Sequence, residues 1–249
     1  MYNTLKTWLP RPVKSALKQA TRGAISSDAV HRAARELLGE IRMARMAWAS
    51  QQRLRALSRR RDLKVHLGCG PDIRPGWVNI DMALRPPHDF DPAAHAGTLL
   101  VSYDLRQGLP LDGQSCALIY SSHFFEHLEY RNGAALLRDC YRVLKPGGVL
   151  RLCMPNYRAC FEAYLQHDCD FFRLVDYGLA EPETRTLGDY MTYSLYQFGE
   201  HKCFYDEERF QVILSKIGFS VVTTSTFTPE FDIDSELRRK YSYYIQAVK

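Results

Sequence analysis

The chain has 249 residues, 46% of them apolar and 24% charged, enough apolar mass for the core of one large domain. No apolar run approaches the roughly 18 residues that span a bilayer, and Thr7, Pro10, Arg11 and Pro12 interrupt any signal-peptide core. The seven cysteines (69, 116, 140, 153, 160, 169 and 203) include no Cys-x-x-Cys pair, which argues against a disulfide framework or a zinc site and predicts a reducing, cytoplasmic setting.

The net charge of +5 hides an asymmetry. Residues 1–62 hold fourteen Lys/Arg and four Asp/Glu, so +10; residues 63–249 hold nineteen and twenty-four, so −5. A basic arm therefore joins an acidic body. Within the arm, residues 1–27 read as loosely organised, because Pro10 and Pro12 break an early helix. Asp28 to about Arg61 reads as a helix, with Ser27 or Asp28 as N-cap. Leu37, Ile41, Ala44 and Trp48 form one apolar stripe, and arginines 32, 35, 42, 45, 53 and 55 populate the other faces.

From Leu63 the period changes. Strands are predicted at Leu63–Leu67, Trp77–Asp81, Leu99–Tyr103, Ala117–Ser121 and Val149–Met154. Arg131–Leu144 is a helix with Ala134, Leu137, Cys140, Tyr141 and Leu144 on its apolar side, stopped by Lys145-Pro146-Gly147-Gly148. Asp206–Ile217 is another, closed by Gly218. Phe219–Thr226 and Tyr241–Val248 close the pattern as two β-rich runs joined only by a loop, so one is antiparallel to its neighbour, at one edge of the sheet. Alternating strands and helices predict a doubly wound α/β fold. The aromatic-rich insert 156–204, with Tyr157, Phe161, Tyr164, Phe171, Phe172, Tyr177, Tyr190, Tyr193, Tyr196 and Phe198, follows the fifth strand and reads as the cover of a site.

The first strand ends in Gly68-Cys69-Gly70, and the second ends in Asp81, eleven residues after Gly70. A tight bend beside a carboxylate-tipped strand suits a nucleoside: the backbone approaches the ligand at the glycines, and the acid bridges two ribose hydroxyls.

Five segments, His66-Leu67-Gly68-Cys69-Gly70, Asn79-Ile80-Asp81, Tyr103-Asp104-Leu105 with Leu109-Pro110-Leu111, Phe124-Phe125-Glu126-His127-Leu128, and Val143-Leu144-Lys145-Pro146-Gly147-Gly148, together resemble the class I S-adenosylmethionine-dependent methyltransferases. The resemblance spans residues 63–249 and includes the terminal strand Tyr244–Lys249. It implies a Rossmann-like sheet of seven mostly parallel strands with an antiparallel C-terminal strand, and S-adenosyl-L-methionine as cofactor. By position it puts the Gly68–Cys69–Gly70 bend under the methionine part, Asp81 on the ribose, Asp104 on the adenine amino group, and the Leu105 backbone against the ring. It puts Ser121 and Ser122 near the methionine amino group and the methyl. His66 stands where the family often has an acid, and Asp72 where a third glycine is common.

Two histidines are candidate general bases for a hydroxyl acceptor, His201 and His123. His123, Glu126 and His127 fall at i, i+3 and i+4, so a helix there would put them on one face as a metal constellation. The favoured reading has no metal, with Glu126 and His127 fixing the loop by hydrogen bonds.

The expectation is in-line methyl transfer, an O-methylation, to a small molecule or a saccharide or lipid-linked glycan intermediate. The alternative is a non-catalytic nucleoside-binding module that recruits a partner through the arm. Nicotinamide redox chemistry is disfavoured, because Ile73 breaks Gly-x-Gly-x-x-Gly, and Pro71 and Pro75 interrupt the helix start. For the arm, packing on the body and peripheral contact with an anionic membrane at its inner face stay open; nucleic acid is disfavoured by the acidic body. The oligomeric state is open.

Overall fold

The computed structural model describes residues 60–82, 84, 90–91, 96–173 and 186–249, with scattered helical positions between 30 and 57. Residues 1–27, the N-cap at Ser27 or Asp28, Ala44, Tyr177 and arginines 32, 35, 42, 53 and 55 lie outside the described residues. The chain divides into two compact units, 1–45 and 46–249. In the first, the described residues are helical, and Leu37, Leu38 and Ile41 are exposed. In the second, Trp48 is exposed, whereas Leu54 and Leu57, assigned to the arm from sequence, are buried in the main core. No helix among the described residues is long and apolar enough to cross a membrane.

The second unit is built on seven strands: β1 (Leu63–Leu67), β2 (Val78–Asp81), β3 (Leu99–Ser102), β4 (Cys116–Ser122), β5 (Leu144–Pro155), β6 (Val221–Ser225) and β7 (Ser242–Val248). Their order is β3-β2-β1-β4-β5-β7-β6. The first five are parallel, and β7 is antiparallel to both β5 and β6. The antiparallel strand thus lies one place in from the edge, and β6 takes the edge expected for it. The molecule is an α/β protein with a Rossmann-like, mostly parallel sheet.

Helices α1 (Tyr130–Val143) and α5 (Glu207–Ile217) pack together over one face of the sheet, bringing Leu136, Leu137, Phe210 and Leu214 onto Leu150, Leu152 and Ile245. The α5 boundaries follow their capping chemistry: the Asp206 carboxylate accepts from Arg209 N, and Gly218 ends the helix at φ 117°. β5 starts five residues earlier than its apolar run. Leu144 pairs with Cys116, and Gly147 and Gly148 exchange backbone hydrogen bonds with Lys249, so the expected turn is drawn into the sheet.

The opposite face is covered at its centre by an irregular stretch, 226–235. Phe231 and Ile233 pack on Trp77, Leu118 and Tyr120. The insert folds as α2 (Tyr157–Leu165), α3 (Cys169–Arg173) and α4 (Leu187–Tyr196). Cys160, Ala163 and Phe172 gather with Tyr241 and with Leu237 of α6 (Glu236–Lys240) into a second small core.

Candidate functional site

Parallel pairing aligns the carboxyl ends of β1, β2, β3 and β4: Leu67 lies opposite Ile80 and Ser121, and Asp81 opposite Ser102. The bend after β1 runs through Gly68 (φ 62°) and Gly70 (φ 51°), both left-handed. A Cβ on Gly68 would come within 2.3 Å of the Phe124 ring, whereas one on Gly70 would meet nothing within 4 Å. Gly70 N donates to Asp81 Oδ2 at 2.9 Å, so the carboxylate at the tip of β2 faces the bend. Cys69 is buried, and burial followed by the charges of Asp81 and Asp72 pushes its thiol up to about 12, so it is inert at neutral pH.

Asp104 is held by its neighbour Arg106. Its carboxylate receives four hydrogen bonds from Arg106, at 2.9–3.1 Å, one of them from the backbone N–H that caps the turn Leu105–Gln107. Burial raises its pKa, but these bonds and the Arg106 charge outweigh burial and hold it below the ordinary range. About four lone-pair sites are thereby filled, and an adenine amino group would have to displace Arg106 to reach it. Leu105 is buried in the main core. Ser121 Oγ donates to the Leu67 carbonyl at 3.2 Å, bracing β4 against the bend, and Ser122 Oγ is buried with no hydrogen-bond partner among the described residues.

Beyond β4 the chain forms a loop and not the helix that would align the three side chains. His123 takes φ 47°, and only Phe125–His127 forms a 3-10 turn, so His123, Glu126 and His127 do not share a helical face. His123 Nε2 lies 2.8 Å from Ser242 Oγ, and burial, then the charge of Arg238, holds the ring well below its ordinary pKa. His127 instead meets His201 across 74 residues, with ring centroids 4.9 Å apart. His201 Nδ1 lies 3.0 Å from the Ser194 carbonyl, so that nitrogen carries the proton and Nε2 the lone pair. Burial, then His127, lowers the His201 pKa to about 4.

Glu126 is fully buried, and neither carboxylate oxygen has a hydrogen-bond partner among the described residues. This corrects the expectation that its side chain fixes the loop. Its carbonyl does so, accepting from Lys202 N at 2.7 Å and Cys203 N at 3.1 Å. Burial pushes the carboxyl up to about 8.

A family model described as a methyltransferase domain matches residues 26–224. The chain belongs to this methyltransferase family. Solved structures similar to it include a SAM-dependent methyltransferase from Archaeoglobus fulgidus, 18% identical over 85% of this chain and 94% of the other, with a TM-score of 0.46. A possible histamine N-methyltransferase from Thermotoga maritima is 16% identical over 88% and 95%, with a TM-score of 0.45. Phosphoethanolamine N-methyltransferase 2 from Haemonchus contortus is 14% identical with a TM-score of 0.47; the match takes in 76% of this chain but spans only about half, 49%, of that one. No curated protein matches the chain.

The methyltransferase thus brings together Gly68, Cys69, Gly70, Asp81, Ser121 and Ser122 at one sheet edge. It brings His201 to Glu126 and His127, and it gives His123 to Ser242. Ser194 and Ser242 were missed, because no local pattern joins them to the histidines they hold.

Proposed function

We propose that this methyltransferase uses S-adenosyl-L-methionine to methylate a hydroxyl of a small molecule or of a saccharide or lipid-linked glycan intermediate. The observation that carries the donor assignment is the Gly70–Asp81 contact: a sharp backbone bend and a carboxylate fixed beside it fit a ribose and the chain leading to the sulfonium. Asp81 would hold the ribose, and Gly68, Cys69 and Gly70 would pass beneath the methionine part. Bound there, the donor supplies an electrophilic methyl group. The chain itself aligns the acceptor and keeps water away.

Tyr157, whose ring lies 6.4 Å from that of His201, supports an acceptor with apolar or sugar surfaces. Of the two candidate bases, His201 is better placed than His123, whose Nε2 is engaged by Ser242. A peripheral contact between residues 1–62 and an anionic membrane is part of the same reading, supported by their +10 charge and the exposed Leu37 and Ile41.

Calorimetric titration of S-adenosylhomocysteine tests the donor site. Wild type should bind at micromolar Kd, about −8 kcal/mol, and Asp81→Ala should lose at least tenfold. Equal affinities would remove Asp81 from the ribose.

A further inference from the structure

Glu126 carries two carboxylate oxygens in full burial, and both lack a partner. Buried polar atoms are nearly always satisfied, so this side chain calls for a partner that the described chain does not supply. Two lone-pair donors stand beside it. One ligand atom each from Glu126, His127 and His201 lies within 4.8 Å of the other two. The Ser194 carbonyl, 3.0 Å from His201 Nδ1, leaves Nε2 as the coordinating atom, the usual preparation of a metal-binding imidazole. The two loops that carry the three residues are also bound together, because Lys202 N and Cys203 N both donate to the Glu126 carbonyl.

We propose that Glu126, His127 and His201 bind a divalent first-row transition ion. Ligand atoms at about 2.1 Å from such an ion sit roughly 3–3.5 Å apart, so the site closes with an ångström or so of side-chain rotation. His127 and His201 are only partly buried and can supply it. Two imidazoles and one carboxylate suit manganese, iron, cobalt, nickel or zinc, whereas calcium and magnesium prefer oxygen donors throughout. His123 lies outside the set: its Nδ1 is 3.9 Å from Glu126 Oε1, but its Nε2 is held by Ser242.

Three protein ligands leave coordination positions open. An acceptor hydroxyl entering one would become more acidic and release its proton to water, so in the ion-loaded protein the ion would take over the activating part given above to His201, whose Nε2 lone pair it occupies. The oxygen lone pair would then form the O–CH3 bond while the C–S bond breaks, its electron pair passing to sulfur. This use of the ion rests on the methyl-transfer reading; the binding of the ion does not.

The test is titration of Co(II) into the full, chelator-stripped chain, followed by visible absorption and by melting temperature. Cobalt is chosen because thiolate ligation gives an intense charge-transfer band, which separates this site from the seven cysteines. One ion per chain without that band is expected, with a melting temperature that rises with cobalt concentration. Glu126→Gln, nearly isosteric, and His201→Ala should each weaken cobalt binding at least tenfold and abolish the rise. S-adenosylhomocysteine binding should stay within about twofold in Glu126→Gln, which shows that the variant is folded. No binding by wild type, a thiolate band, or unchanged affinity in both variants would overturn the proposal. Cobalt binding without any binding of S-adenosylhomocysteine would overturn the donor reading instead.

Discussion

The sheet face under α1 and α5 buries Val65, Leu67, Ile80, Leu150, Leu152 and Ile245, with Ser121, bonded to the Leu67 carbonyl, as a polar residue among them. The face under 226–235 buries His66, Asn79, Tyr120 and Arg151, each with polar atoms to satisfy. The covering elements explain the contrast. A helix satisfies its own backbone, so α1 and α5 ask only for apolar area. An irregular segment does not, and its groups need partners when it is laid on a sheet. Here the sheet and the loop after β1 supply them. Arg151 donates to the Thr226 carbonyl at 2.7 Å, Arg74 to the Phe231 carbonyl at 2.5 Å, and Ile233 N donates to Tyr120 Oη at 3.3 Å. Arg151 also pairs with Asp232, both without exposure, over the Tyr244 ring. Directional bonds specify one seat for the segment, whereas apolar area mainly stabilises.

Four measurements sharpen or break this contrast. The largest effect belongs to Arg151→Met, which strands a buried carboxylate and should cost about 3–5 kcal/mol in urea unfolding. Adding Asp232→Leu should recover most of that loss; a double variant as unstable as the single would end the account. On the apolar face, Leu152→Ala should cost about 3 kcal/mol as a cavity and leave protease resistance of 226–235 unchanged.

His66 comes third. Burial, then the Arg74 charge, lowers its pKa from 6.5 to about 3. The unfolded chain therefore binds more protons between those values, and stability falls as pH drops from about 6.5 towards 3. His66→Phe should remove about 1.4 kcal/mol per pH unit of that slope. Parallel pH–stability curves for both proteins would show that the ring is not neutral in the folded state. The smallest effect is Lys64→Ala. This exposed residue on the polar face stands 5.8 Å from the Trp77 ring centroid, and its loss should cost less than about 1 kcal/mol by thermal melting.

Much of this was legible locally. β1 falls where its apolar run predicts, and α5 where Asp206 and Gly218 punctuate it. Gly68, Gly70 and Asp81 could be read together because the bend and the acid belong to neighbouring strands of one crossover. Three features escaped for identifiable reasons. The early start of β5 depends on pairing with Cys116 and Lys249, which no window of sequence contains. Asp104 was weighed without Arg106, two residues on, although that proximity was a usable signal. His201 lies 74 residues from His127, and only the path of the insert joins them.

The position of β7 has a consequence for synthesis. It is made after β5 and β6 yet lies between them. Until it emerges from the ribosome, β5 presents an open flank of unpaired amides and carbonyls, ready to template a foreign strand. The nascent domain is therefore most prone to misassociate just before its seventh strand appears, and a stalled or truncated product lacking that strand should be a preferred client of chaperones and proteases.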